Sequence, residues 1–114
     1  MPIKKTIFGE NIDIENRSLV DIQHAKIGND CIIYAFVVIK TGVVIGDNVI
    51  IHDHVSISEN VVIGDNVIIH SGCTVIKGIR LDTGCVIGAG SVITKNVERG
   101  RKVYTAGKRI DKKA

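Results

Sequence analysis

Aliphatic residues return at every sixth position along most of this chain. Starting at Ile27 the column runs Ile33, Ile39, Ile45, Ile51, Ile57, Ile63, Ile69, Val75, Leu81, Ile87 and Ile93, without a slip in phase. Four residues after each member stands a small or β-branched one: Cys31, Val37, Val43, Val49, Val55, Val61, Val67, Cys73, Ile79, Cys85, Ser91 and Val97. A six-residue period fits neither an α-helix nor a hairpin sheet, and it marks a repeat architecture. Three six-residue units close one triangular coil of 18 residues, with a short strand on each side. Coils then stack at the strand spacing of about 4.8 Å, and the two columns fill the interior. The expected fold is a single-domain, all-β parallel β-helix of about five coils.

The corners carry their own signal. Three residues after each aliphatic come Asp30, Phe36, Gly42, Asn48, His54, Asn60, Asn66, Gly72, Gly78, Gly84, Gly90 and Asn96. Gly and Asn tolerate a positive φ, so a left-handed turn residue is predicted at each corner. Asp30, Phe36 and His54 depart from that rule. Upstream, Phe8, Ile14 and Val20 keep a six-residue step, but one extra residue near Lys26 separates them from Ile27. Residues 8–26 therefore read as a ragged first coil and residues 27–98 as regular hexads. The helix is expected to span 1–98. The segment after Val97 breaks the period and is expected to leave it, as a short irregular tail over 99–114.

Composition sharpens this picture in three places. Hydrophobic residues make up 45% of the chain but aromatic ones only 4%, so Ile and Val must fill the core. Seven Lys and Arg against one acid fall in 99–114, while 1–98 holds eight against eleven. The body is mildly acidic and the tail basic. The three cysteines form no CxxC pair and all sit in the small inward column, where they read as core residues rather than disulfide partners or metal ligands. No stretch approaches the roughly 20 apolar residues of a membrane span. No leader is recognisable at the start, so a cytoplasmic protein without membrane contact is expected.

The hexads, among them Ile-Gly-Asp-Asn-Val-Ile at 45–50 and again at 63–68, resemble the hexapeptide-repeat acyltransferases. So does the run Val86 to Val97 followed by residues 104–110, which is similar to that family's closing segment. The resemblance covers about residues 27–110. It implies a left-handed winding, a homotrimer, acetyl-CoA or a related thioester as donor, and a histidine base near subunit interfaces. This chain departs from the family pattern at Glu98-Arg99-Gly100, where a Pro-Pro pair is usual. It also lacks the long His-bearing loop of galactoside and maltose acetyltransferases.

Residues 18 apart should stack, and this gathers the chemistry on one edge. One corner carries Tyr34-Ala35-Phe36, His52-Asp53-His54, His70-Ser71-Gly72 and Gly88-Ala89-Gly90. The candidate catalytic residues are His54, then His52 and His70, with Asp53, because imidazole suits a general base near neutral pH. His54 ranks first, since a ring at a left-handed turn most needs a functional reason. His24 lies in the ragged coil and reads as incidental. Beside this corner the outward residues Ile32, Ile50, Ile68 and Val86 form an apolar stripe, the expected trimer contact.

Acyl transfer from coenzyme A to a hydroxyl or amine of a small acceptor is the leading expectation, by direct attack without an acyl-enzyme. Gly88, Ala89, Gly90 and Ser91 would admit the pantetheine arm. Lys102, Lys108 and Arg109 would meet its phosphates, with Ala106 and Gly107 of the closing segment beside them. A non-catalytic binding module is the first alternative. A zinc enzyme like the gamma-class carbonic anhydrases is the second, although the His-x4-His spacing is missing and no metal is expected. Nucleic acid is disfavoured, because the acidic body offers no surface of interleaved basic and aromatic residues.

Overall fold

The computed structural model describes residues 5–104, and within it the hexads wind into three parallel sheets. Every regular strand is two residues long, one outward and one inward. The first face stacks Ile7–Phe8, Lys26–Ile27, Val44–Ile45, Val62–Ile63 and Arg80–Leu81. The second stacks Asp13–Ile14, Ile32–Ile33, Ile50–Ile51, Ile68–Ile69, Val86–Ile87 and Lys102–Val103. The third stacks Asp21–Ile22, Val38–Ile39, Ser56–Ile57, Thr74–Val75 and Val92–Ile93. The winding is left-handed, against the general preference of parallel crossovers.

Strands this short hold because each pairs with the coils before and after it. Ile50 N–H donates to Val67 O at 3.0 Å and Tyr34 N–H to Ile51 O at 2.9 Å, a pattern repeated 18 residues apart along the helix. The inward columns are closed to water, with Ile33, Ile39, Ile51, Ile57, Ile69 and Ile87 all at 0% exposure. Each such side chain contributes about 1.5–3 kcal/mol on burial. Cys31, Cys73 and Cys85 are buried in the same columns and unpaired. Burial pushes their thiols up, that of Cys85 to about 11, which keeps them protonated and unreactive.

Eleven of the twelve expected corner residues do have positive φ, including Phe36 and His54, both at 62°. Between the first and second faces the corners are further tied by side chains. Asp47 Oδ1 accepts from the N–H of Asn29, and Asp65 Oδ1 from that of Asp47, both at 2.8 Å. Glycine is required beneath such a carboxylate: a Cβ on Gly46 would lie 2.3 Å from Asp65 Oδ1.

The two ends differ from the sequence reading. In the first coil the net extra residue has two parts: two residues are added between Ile14 and Ile22, around the 3-10 turn Arg17–Leu19, and one is missing between Ile22 and Ile27, beside Lys26. Ile14 pairs with Ile33, but Ile22 rather than Val20 pairs with Ile39. Val20 stands instead beneath Val37, through the Asp21 N–H to Val37 O bond. At the other end the chain does not leave the helix after Val97. It cuts one corner short by two residues, so that Val97 bridges Leu81, and Lys102–Val103 then pairs with Val86–Ile87. The expected boundary between 98 and 99 therefore falls inside the last coil. Asn96, at the shortened corner, is the one expected turn residue without a positive φ. Its side-chain oxygen accepts from Arg80 N–H at 2.8 Å instead.

Candidate functional site

The corner between the second and third faces follows directly from the coil register. Ile33, Ile51 and Ile69 stack inside, so the residues after them stack outside, as a column of planar rings. Tyr34 and His52 lie 4.9 Å apart at 2°, and His52 and His70 lie 5.1 Å apart at 12°. A second column two residues on places Phe36 against His54 at 4.8 Å and 21°. These separations equal the strand spacing, because the backbone hydrogen bonds set them. His24 lies on a different corner, where its carbonyl accepts from Gly42 N–H.

Between the two columns runs a hydrogen-bonded chain. Ser71 Oγ donates to Asp53 Oδ1 at 2.8 Å, and Asp53 Oδ2 lies 3.0 Å from His54 Nδ1. The Ser71 hydroxyl, then His54, then its own backbone N–H hold the Asp53 carboxyl below the usual carboxylate range. A lowered folded-state value favours the ionised form. This linkage is fully present above the ordinary Asp range and lost as pH falls through the lowered one. An ionised carboxylate can only accept, so Nδ1 of His54 carries a proton, and in the neutral ring Nε2 keeps its lone pair. The His54 side chain is 62% exposed, so that nitrogen is open to a reactant. Directly above His54 the column continues as Gly72 and Gly90, which leave its other face bare.

The structure revises the expected donor site. Ser91 is fully buried, its hydroxyl donating to Gly88 O at 2.7 Å, and it lies in the inward column where no external ligand reaches it. Gly88 is also closed off, because the Tyr104 ring stands where its side chain would be; a Cβ there would meet Tyr104 Cδ1 at 2.0 Å. Ala89 and Gly90 remain exposed. Lys102 is exposed at the end of the second face, stacked on Val86. Ala106, Gly107, Lys108 and Arg109 lie outside the described residues. Ser71 and Tyr104 are not among the candidate site residues that the sequence suggests. Ser71 was legible as the residue 18 beyond Asp53. Tyr104 had a fainter sign, a lone glycine continuing a column of Tyr34, His52 and His70.

Among the described residues, no three His, Cys, Asp or Glu side chains converge on a metal position. The parallel stacking of His52 and His70 directs their nitrogens side by side rather than toward a common point. A cavity of about 270 Å³ opens where the last coil is cut short, between Val92 and Val103, and none of the histidines lines it.

The description of bacterial transferase hexapeptide repeats (six repeats) matches residues 24–59 and 60–95. The chain belongs to this hexapeptide-repeat family. No curated protein sequence matches it significantly. Among solved structures, the hexapeptide chain is similar to perosamine N-acetyltransferase from Caulobacter crescentus at a TM-score of 0.77 and 17% identity, over 96% of this chain and 54% of that one. It is similar to LpxA from Acinetobacter baumannii at 0.76 and 20%, over 91% and 43%. With a maltose O-acetyltransferase from Clostridium difficile it shares 27% identity at a TM-score of 0.63, over 86% and 65%. The chain thus spans between 43% and 65% of the length of these relatives.

Proposed function

We propose that this hexapeptide-repeat protein transfers an acyl group, most simply acetyl, from coenzyme A to a hydroxyl or amine of a small acceptor. The observation that carries this reading is the Ser71–Asp53–His54 chain, which leaves one imidazole nitrogen basic and exposed on the edge of the helix. Family membership supports it, as does the 27% identity to a maltose O-acetyltransferase, an enzyme that acylates a sugar hydroxyl.

In the proposed step Nε2 of His54 takes the acceptor proton as the acceptor oxygen or nitrogen attacks the thioester carbonyl. A backbone N–H of the glycine-rich corner meets the oxyanion. The C–S bond then breaks, and the departing thiolate takes the proton back from the imidazolium. Ala89 and Gly90 give the pantetheine arm room along the corner, and Lys102 with Lys108 and Arg109 meets its phosphates. His52 and His70 are the reserve candidates for the base. The working unit is a homotrimer closed over Ile32, Ile50, Ile68 and Val86. Three unpaired thiols suit a reducing, cytoplasmic setting, and among the described residues no helix is long and apolar enough to cross a membrane.

A thiol-release assay with acetyl-CoA and a panel of sugars, amino sugars and amino acids tests the proposal. Acceptor-dependent release of thiol is the expected result. No release with any acceptor, together with no measurable coenzyme A binding, overturns it. Deleting 105–114 should leave the helix folded, because the last paired strand among the described residues ends at Val103. Coenzyme A affinity should fall, and what remains should be less sensitive to salt, because screened phosphate contacts have gone. Unchanged affinity by calorimetry would move the phosphate site off the tail.

A further inference from the structure

We infer that Phe36 is a positioning residue for His54: its ring holds the imidazole in the plane where Nδ1 meets Asp53. Three observations on different levels carry this. The first is backbone conformation. Phe36 sits at φ 62°, a region in which a bulky side chain is an outlier and in which Asn or Gly would be at ease. The second is burial. Phe36 is 49% exposed, so filling a core does not explain a phenyl ring at a strained turn. The third is contact. The ring lies nearly parallel to His54 at 4.8 Å, one strand spacing below it.

The need for such a support follows from exposure. The His54 and Asp53 side chains are 62% and 46% exposed, and water competes with a hydrogen bond that open. Gly72, directly above, supplies no side chain to restrain the ring from the other face. Of the neighbours along the column, only Phe36 can limit rotation of the imidazole out of the Asp53 plane. Tyr34 stacks beneath His52 in the same way, but it is not among the residues at positive φ, so nothing singles it out.

The kinetic side of this inference rests on the acyl-transfer reading; the structural side does not. Phe36→Asn is the test, because Asn restores the local backbone preference and should keep or raise the thermal midpoint. In alkaline buffer, nuclear magnetic resonance of the His54 ring nitrogens should report one tautomer, protonated at Nδ1, in the wild type. In Phe36→Asn the two tautomers should mix as in an unrestrained imidazole, and in Phe36→Tyr the single tautomer should return. With an active acceptor, kcat should fall about tenfold in Phe36→Asn at unchanged KM for acetyl-CoA, and Phe36→Tyr should recover it. An unchanged ring signature in Phe36→Asn overturns the inference whatever the activity. A wild type inactive with every acceptor and without coenzyme A binding overturns the acyl-transfer reading, and the ring signature then still decides the role of Phe36.

Discussion

Replacing His54 by Asn should lower acyl transfer by on the order of 10²–10⁴ while leaving the thermal midpoint where it is or slightly above. The two halves of this result have separate causes. His54 supplies the one basic nitrogen with an acidic partner at its other end, so its removal leaves the acceptor proton without a destination. The backbone at 54 has φ 62°, which Asn adopts more readily than a ring, and the pair it loses is exposed and worth little to stability. Asn at 52 and at 70 provides the comparison. Those residues stack on one another but have no carboxylate beside them in the Ser71–Asp53 chain, and their replacement should cost less. Initial rates with saturating acetyl-CoA, beside a melting curve for each variant, check all three. Full activity in His54→Asn with loss in His52→Asn would move the base to the neighbouring column. Full activity in all three would take the chemistry off this edge.

Placing Glu at both Ile50 and Ile68 should convert a homotrimer into single chains. These two residues are the centre of the outward stripe on the second face, half-buried in the isolated chain along with Ile32 and Val86. Full burial of one large aliphatic is worth about 1.5–3 kcal/mol; covering the smaller part that remains exposed on four of them per chain adds a fraction of that for each to the drive to associate, summed along the stripe. Two carboxylates in that contact reverse its sign, because each would be desolvated without a partner. Since both side chains point outward, the coils themselves should stay folded. Light scattering should give about three times 12.3 kDa for the wild type and once that mass for the variant. A wild-type mass near one chain would sink the trimer and with it the interfacial setting of the histidine edge.

The twelve aliphatic positions from Ile27 to Ile93 were legible because burial selects them one by one and nothing else competes for those sites. The stacking of His52 on His70 followed from the same count, since a ring on a rigid coil has nowhere else to stand. Legibility ended where the coil length changed. Two extra residues before Ile22, one missing before Ile27 and two missing before Val97 alter no local preference, so hydrophobic spacing cannot place them. Asn96 kept a turn residue's identity yet turned its side chain to Arg80 N–H, because the shortened corner brought that donor within reach. Ser91 was read in two ways at once, as a member of the inward column and as a donor-site residue, and the inward column prevailed. Tyr104 left only the faint sign of a glycine at 88, for a different reason: its place over Gly88 depends on the same shortened corner, which no hydrophobic spacing announces.

The agreement between 18 residues and one full coil sets how this protein tolerates insertions and deletions. A deletion of six residues in the regular stretch keeps every later aliphatic side chain inside. Placed between His54 and His70, it also rotates everything beyond it by one face, carrying His70 away from His52 and Ser71 away from Asp53. A deletion of 18 between sites of like face removes one storey and returns each later residue to the face it held before. The fold is thus read in sixes and the histidine edge in eighteens, so a length change silent to folding can still separate Ser71 from Asp53.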